Sequence, residues 1–388
     1  MKVAIVGGGP SGLYLALLLK RRAPGWDVQV VEQNPPDATF GFGVVIAETG
    51  LAQLHDADAA SHDAMTARMH YNHGQTIVHR DTPIEVKRST AGGAIGRLAL
   101  LSALQAQCAD VGVPVHHGHR LDTLDDLAAL GLADADVVVG ADGINSLVRR
   151  SFPEGFGTTQ RTLTNHFAWY GTERVFPQPA LVFRGFEGGH FVAHYYPYSA
   201  TMSTFVAECD DATWQRLGLD CMSDDARQRL FERIYAPELA NMPLISNMSI
   251  WRQFPVIRNA RWSHGRHVLI GDALASAHFS IGSGTRIAMN DAIALADALL
   301  ACGGDALAGL AAYQRAHGPN KVKLIAASER SFDWYERMGE WMERYGPEEF
   351  VYAFMTRTGR IDDVRLREQF PELMARIGSR RPPALAGA

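Results

Sequence analysis

The sequence predicts an α/β protein in which a sheet of parallel strands is interrupted by an inserted antiparallel sheet and followed by a helical segment. Residues 1–160 alternate between apolar, strand-like stretches and helical stretches. Residues 162–251 change to short strand-like segments around the hairpin signal Gly188-Gly189. An apolar strand at 267–270 then restores the first pattern. The first unit is therefore expected to be discontinuous in sequence.

Length supports more than one domain, because a chain of 388 residues exceeds the ~250–300 at which one core usually stops growing. We expect a first domain at 1–160 and 255–325, an inserted domain at 161–254 with an excursion near 55–90, a C-terminal helical segment at 326–379 and a flexible tail at 380–388.

The chain opens with an apolar strand at 2–6 that runs into Gly7-Gly8-Gly9-Pro10-Ser11-Gly12 and a helical stretch. In a Rossmann-like unit Gly7 permits the tight turn, Gly9 lets the backbone approach a pyrophosphate, and Gly12 lets helix and strand pack closely. Glu32 ends the next strand about 20 residues later, where a ribose hydroxyl needs an acceptor. The pattern predicts a dinucleotide site and leaves NAD and FAD open. A glycine-rich turn without nucleotide is the structural alternative.

Two later motifs favour FAD. An apolar strand at 136–140 precedes Asp142-Gly143, and the strand at 267–270 precedes Gly271-Asp272. An acid at the end of a strand points into the crevice where α/β sheets bind ligands, so Asp272 can accept from a ribityl hydroxyl. The next helix follows Gly282-Ser283-Gly284-Thr285, and its positive N-terminal end would favour an anionic reduced flavin. Each pair alone is an ordinary turn, but the three motifs together predict one FAD.

This combination resembles the single-component FAD-dependent aromatic hydroxylases, the family typified by p-hydroxybenzoate hydroxylase, over nearly the whole chain. The resemblance implies that Arg97 contacts FAD; a solvated helix residue is the alternative. Ala275 stands where the family usually has His, and Phe279 where it usually has Pro. These departures put the detailed geometry of the ring site in question and leave FAD binding expected.

Several segments resemble a narrower aryl-CoA branch, which includes salicylyl-CoA 5-hydroxylase and the monooxygenase half of anthraniloyl-CoA monooxygenase. They are residues 40–45, 254–262, 278–285 and 334–367. Residues 169–172 and 202–205 are instead similar to the tryptophan hydroxylase of violacein biosynthesis. The resemblance implies an aryl-CoA thioester as substrate, with tryptophan or another indole as the alternative.

The resemblance also implies the chemistry. NAD(P)H would reduce the flavin without a nucleotide domain of its own, and O₂ would then form a flavin 4a-hydroperoxide that attacks an electron-rich ring. No metal is required. The run His116-His117-x-His119 is interpreted as a solvated turn rather than as a set of metal ligands.

Candidate catalytic residues follow from strand periodicity. A base that takes a proton from the substrate helps ring hydroxylation, and a period of two places His194 and Tyr196 on one face of the strand at 190–196. His194 is the candidate for substrate contact and His278, just before the late glycines, is the second; a structural role is the alternative for both. The remaining pocket residues are expected to be Phe42, Tyr196 and Phe279, and core packing is the alternative for the two Phe residues.

The composition narrows the class of partner. The formal net charge of −5 argues against nucleic acid or an anionic membrane as the main partner, although a CoA ester needs only a few local cations. Four scattered cysteines, no apolar run of 18 residues and a first strand at residue 2 predict a soluble cytoplasmic protein. A plain NAD-dependent dehydrogenase and a flavin-binding scaffold without turnover are the other classes of function considered. The oligomeric state is left open.

Overall fold

The computed structural model describes residues 1–282 and 284–378, apart from the side chains at 88–90. It is a mixed α/β protein with two sheets and a C-terminal helical region, which confirms the predicted fold class. The expected cofactor contact of Ser283 and the expected tail at 380–388 lie outside the described residues.

The strands of the described chain are numbered from the N-terminus. They are β1 (Lys2–Val6), β2 (Asp27–Val31), β3 (Gly43–Ile46), β4 (His70–His79), β5 (Thr82–Gly96), β6 (Val115–His116), β7 (Val137–Gly140), β8 (Thr158–Thr172), β9 (Ala180–Phe186), β10 (Gly189–Pro197), β11 (Ser203–Cys209), β12 (Ile245–Ser246), β13 (Arg252–Asn259), β14 (Ser263–His264) and β15 (His267–Leu269).

The helices follow the same numbering. They are α1 (Pro10–Arg22), α2 (Glu48–Ala57), α3 (Ala59–Thr66), α4 (Arg97–Asp110), α5 (Leu147–Ser151), α6 (Pro153–Phe156), α7 (Asp211–Arg216), α8 (Asp224–Ile234), α9 (Ala236–Leu239), α10 (Gly284–Ala301), α11 (Ala306–Glu336), α12 (Met338–Arg344), α13 (Pro347–Thr356), α14 (Asp363–Gln369) and α15 (Pro371–Ile377).

The first sheet has the strand order β14-β15-β7-β1-β2-β6. All neighbours pair in parallel except β14, which closes one edge as an antiparallel strand. Its strands are continuous apolar runs such as Val3–Val6 and Val137–Val139, buried on both sides, as parallel strands covered by helices should be. The carboxyl ends of β1, β2, β7 and β15 therefore meet along one edge.

The second sheet has the order β12-β8-β11-β10-β9-β4-β5-β3, with β13 also paired to β8. Pairing is antiparallel except between β4 and β9, where Ile77 lies opposite Leu181. The segment near 55–90 thus supplies strands to the same sheet as the inserted region.

Both faces of the second sheet are covered. One face, with Phe191 and Phe205, packs against α7 and α8 through Trp214 and Phe231. The opposite face packs against the C-terminal helices in an apolar cluster made of Leu181, Phe183, Val192, Trp334, Trp341, Phe350, Phe354, Leu366 and Leu373, among others. The C-terminal segment is therefore a structural cover for this sheet.

A buried charge cluster joins the end of β15 to helices α10 and α11. Asp291 on α10 is fully buried, and its carboxylate oxygens accept from Lys321 Nζ at 2.6 Å and from the Gly271 amide at 2.9 Å. His317 Nε2 lies 3.0 Å from Asp291 Oδ1. Burial favours a raised pKa for the Asp291 carboxyl, but the Lys321 charge and the His317 hydrogen bond hold this pKa below its usual value. The carboxylate thus stays ionised and fixes the end of β15 to α10 and α11.

We expect Asp291→Asn to lower the free energy of unfolding by about 3–5 kcal/mol, because the change leaves Lys321 buried without its partner charge. The matched control is Asp297→Asn on the same helix, whose exposed pair with Arg22 contributes about 1 kcal/mol or less. Urea unfolding midpoints provide the measurement. The pKa of Asp291 is lower in the folded protein than in the unfolded chain. The contribution of Asp291 to the free energy of unfolding is therefore complete above the unfolded pKa of ~3.9 and is lost as the pH falls below it. Equal losses for the two variants would contradict this assignment.

Candidate functional site

The glycine turn after β1 is closely packed at its two ends and open in the middle. Gly7 has φ +110°, and a Cβ there would lie 2.4 Å from the Ala141 oxygen. At Gly12 a Cβ would lie 2.0 Å from the Gly7 oxygen, whereas at Gly9 it would meet nothing within 4 Å. Pro10 and Ser11 begin α1 immediately afterwards. The turn is therefore a backbone cradle at a helix N-terminus, the arrangement that binds phosphate groups.

Glu32 follows the end of β2 and is tied to this cradle. Its Oε2 accepts from the Gly8 amide at 2.6 Å, and its Oε1 accepts from the Asn34 amide at 2.8 Å. Oε1 also accepts from Asn34 Nδ2 at 2.7 Å, whereas Oε2 keeps a second lone pair, so Oε2 can accept from a ribose hydroxyl while it orders the turn.

Arg97 is the first residue of α4, and its own amide donates to the Phe42 oxygen at 2.7 Å. Its guanidinium makes no hydrogen bond to a described residue but is attracted electrostatically by Asp272 and Glu32. Burial lowers the pKa of Arg97. A cation held here without a direct partner fits a site for the anionic part of a dinucleotide.

Asp142 and Asp272 have different surroundings. Asp142 Oδ2 accepts from the amides of Leu147 at 2.6 Å and Val148 at 3.4 Å, which caps α5, whereas Oδ1 is buried with no hydrogen-bond partner among the described residues. Asp272 is accessible to solvent, although many protein atoms surround its carboxyl group. The surrounding protein desolvates its carboxyl and raises its pKa, while the charge of Lys321 counteracts this effect. Both acids can therefore still accept hydrogen bonds from a ligand.

The three predicted motifs come together in space. A Cβ on Gly7 would also lie 2.7 Å from the Asp142 amide nitrogen, and one on Gly271 would lie 3.0 Å from Ser11 Oγ. Three glycines of the later motifs, Gly143, Gly271 and Gly282, have positive φ. Gly284 and Thr285 then begin α10. The site is thus assembled by close backbone contacts between segments far apart in sequence.

A cavity of about 610 Å³ lies between the second sheet and the C-terminal helices. His194, Tyr196 and Phe279 line it, together with the turn at 279–282 that precedes α10. The Tyr196 hydroxyl donates to the Gly43 oxygen at 2.8 Å, and burial raises the pKa of Tyr196 to about 12, so this phenol stays protonated. A cavity of this size is typical of small-molecule sites.

Phe42 and His278 do not line this cavity. The Phe42 ring packs on β8, where a Cβ on Gly171 would lie 2.3 Å from it. His278 is buried; its Nδ1 accepts from the Ser280 amide at 3.2 Å, and its own amide donates to Ser328 Oγ at 3.1 Å. Burial, together with the nearby Arg357 charge, lowers the pKa of His278 to about 3. In this arrangement a neutral His278 holds the turn at 279–282 in place.

Two cavity residues were not anticipated from the sequence. Glu208 is 2% exposed, and its Oε1 accepts from Asn165 Nδ2 at 2.9 Å. Arg357 donates to Ser331 Oγ at 3.0 Å and to the Ser280 oxygen at 2.8 Å and forms no ion pair with a described residue. The only sequence signal for Glu208 was an acid directly after the apolar run Phe205-Val206-Ala207.

Two negative findings apply to the described residues alone. No helix among them has the length and apolar character needed to cross a membrane. They also contain no group of three or more His, Cys, Asp or Glu side chains that could hold a metal ion.

Comparison with known proteins agrees with this geometry. The family model described as FAD binding domain matches residues 1–320. The open position at Gly9, the guanidinium of Arg97 and Asp142 Oδ1, the last two without a hydrogen-bond partner among the described residues, fit the phosphate cradle, the cation and the acceptor that FAD requires.

Three relatives resemble most of the chain. A salicyloyl-CoA 5-hydroxylase from a Streptomyces species is 36% identical, over 92% of this chain and 70% of its own length. A 3-hydroxy-4-methyl-anthranilyl-[aryl-carrier protein] 5-monooxygenase from Streptosporangium sibiricum is 34% identical, over 87% and 90%. The protodeoxyviolaceinate monooxygenase of Chromobacterium violaceum is 33% identical, over 92% and 94%.

The fold is also found among solved structures. That of 2-methyl-3-hydroxypyridine-5-carboxylic acid oxygenase aligns with a TM-score of 0.73 and 19% identity, covering 95% of this chain and 98% of the other. This likeness is one of fold.

We expect Gly9→Val to remove FAD without unfolding the protein, because the added side chain enters open space in the cradle rather than protein atoms. Losing contacts worth about 1.5–3 kcal/mol weakens binding roughly ten- to a hundredfold. The FAD-to-protein absorbance ratio and circular dichroism separate the two effects. Gly25→Val, also at an open position but outside the cradle, is the control. FAD retained at the wild-type level in Gly9→Val would refute the placement of the phosphates.

Proposed function

The chain belongs to the FAD binding domain family and is an FAD-dependent aromatic monooxygenase, and on this basis we propose that it hydroxylates an aromatic ring carried as a CoA thioester. The substrate class is salicylyl-CoA or anthraniloyl-CoA, and the co-substrates are NAD(P)H and O₂. The salicyloyl-CoA 5-hydroxylase and the aryl-carrier-protein monooxygenase among the relatives support a thioester-linked ring.

The observation that carries the proposal is the gradient of polarity along the cavity. Its inner part combines Tyr335 and Phe279, near the turn that precedes α10, whereas its outer part reaches the exposed side chains of Arg360 and Arg365. Neither of these arginines forms an ion pair with a described residue. An aryl group fits the inner part, and the phosphates of CoA fit an exposed rim of cations.

The protein's part in the reaction is to position the ring and exclude water. FAD, when bound, supplies the redox chemistry that couples NAD(P)H and O₂ to oxygen insertion. The aromatic side chains of the cavity orient the ring against the turn at 279–282, and the C-terminal helices cover it. Binding energy from the remote CoA part helps to hold the ring in the reactive position.

Tryptophan or another indole is the second candidate for the substrate. Its support is the resemblance of residues 169–172 and 202–205 to the tryptophan hydroxylase of violacein biosynthesis, whereas the relative that is 33% identical is named for protodeoxyviolaceinate. A free amino acid has no phosphate to engage Arg360 and Arg365, so the cationic rim favours the thioester.

Product mass under air with NAD(P)H decides between these substrates. We expect one added oxygen on salicylyl-CoA or anthraniloyl-CoA, and slower turnover of the corresponding free acid, because the free acid lacks the remote binding energy. Oxygen added to tryptophan and to neither CoA ester would overturn the thioester assignment and leave the monooxygenase assignment intact.

The binding of CoA phosphates by Arg360 and Arg365 can be tested separately from the identity of the product. Arg360→Ala combined with Arg365→Ala should raise KM for the CoA ester about fivefold, since exposed ionic contacts contribute about 1 kcal/mol. The matching thioester of N-acetylcysteamine has no phosphates, and its KM should not change. An equal rise in KM for both thioesters would show that the arginines do not recognise phosphate.

A further inference from the structure

Glu208 lies on the cavity face of the second sheet. In the register of β10 and β11, Glu208 is opposite Val192, and Val206 is opposite His194. All four residues line the cavity. The carboxyl group therefore faces the same space as His194, although every residue of the strand that carries it is buried.

The hydrogen bonding of this carboxyl is incomplete. Oε1 accepts from Asn165 Nδ2 at 2.9 Å, and the same amide nitrogen donates to the Tyr335 oxygen at 2.9 Å. Oε2 has no hydrogen-bond partner among the described residues, and Glu208 forms no ion pair with them. Oε2 is not one of the fully buried atoms that lack a partner, and Glu208 lines the cavity, so this oxygen is accessible from the cavity and can bind a group on the ligand.

We propose that Glu208 is a catalytic base that accepts the proton of a hydroxyl group on the substrate's aromatic ring. This inference rests on the proposed function and deepens it, because it selects a substrate whose ring bears a hydroxyl. The substrate O–H bond breaks and an O–H bond forms on the carboxyl. The electron pair stays on the substrate oxygen, where it raises the electron density of the ring that is to be oxygenated.

The electrostatic surroundings suit this transfer. Burial raises the pKa of Glu208 to about 8, the Asn165 hydrogen bond opposes the rise, and the charges of Glu336 and Asp210 add to it. A phenol titrates near ~10 and an ordinary glutamate near ~4.3, so the raised value closes most of the gap between acid and base. Other titratable groups around Glu208 are His194 and Tyr335, which line the same cavity, and Arg357, whose charge acts on Tyr335.

Glu336 offers an independent way to move this pKa. It lies at the end of α11, where Oε2 accepts from the Thr164 amide at 2.7 Å and Oε1 from the Asn165 amide at 3.0 Å. It does not line the cavity. Because its negative charge raises the pKa of Glu208, Glu336→Gln should lower that pKa without removing any group from the site.

The experiment compares wild type, Glu208→Gln and Glu336→Gln as holoenzymes with salicylyl-CoA and anthraniloyl-CoA. For the wild type on salicylyl-CoA, kcat/KM should rise with pH through about 8, because the protonated carboxyl accepts no proton. Glu208→Gln should lower kcat about a hundredfold and abolish this rise. Glu336→Gln should move the rise to lower pH. With anthraniloyl-CoA, which has an amine in place of the hydroxyl, Glu208→Gln should lower kcat far less.

The controls separate loss of the base from loss of the fold. FAD content and the unfolding midpoint establish that the Gln variants are folded, and Glu208→Asp provides a second variant that keeps the acid. An unchanged pH profile in Glu208→Gln, or equal losses with both CoA esters, overturns the role of Glu208 alone. If the wild type oxygenates neither salicylyl-CoA nor anthraniloyl-CoA, the proposed substrate class is wrong, and the proposal for Glu208 fails with it.

Discussion

The ion pair between Asp291 and Lys321 is the interaction on which both parts of the site depend. It holds the Gly271 amide, and hence the end of β15, against α10 and α11. The same long helix, α11, continues to the second sheet, where Tyr335 lines the cavity and Glu336 accepts hydrogen bonds from the middle of β8. One buried carboxylate thus sets the position of the helix that spans from the cofactor cradle to the cavity. A buried pair of this kind is costly to break, so it resists any movement of α11 relative to α10 and the end of β15.

Glu208 and Arg357, two ionisable residues that line the cavity, form no salt bridge with any residue that the structure describes. Glu208 is largely neutral below its raised pKa, so its burial costs little at neutral pH. Arg357 keeps its charge and satisfies it with the Ser331 hydroxyl, the carbonyl oxygens of Phe354 and Ser280, and the Phe354 ring, whose centroid lies 3.8 Å from the guanidinium carbon. Had the two side chains paired with each other, neither would be available to a ligand.

The sequence was most informative where a local backbone requirement dictates the residue. Gly7 and Gly12 leave no room for a Cβ, so the glycine spacing, together with the apolar run before it and the helical stretch after it, predicted the turn. The antiparallel sheet followed from its hairpin and short strands. Glu208 could not be found in this way, because β11 is buried on both faces and its alternation does not say which side faces a cavity. That information lies in the C-terminal helices, whose packing onto the sheet is a long-range event.

The order of the segments along the chain has a consequence for biosynthesis. The first sheet pairs β1 with β7 and β7 with β15, so its centre closes only when residue 269 has been made. The second sheet pairs β4 with β9, and its cavity face is covered only by α11 to α15, which end at residue 377. Pairings this distant are slow to form. During translation the glycine turn and the strands around it can therefore assemble well before the cavity of the second sheet is closed. In that interval the face of β9 and β10 that carries Leu181, Phe183 and Val192 is an uncovered apolar surface, the kind of surface that chaperones shield.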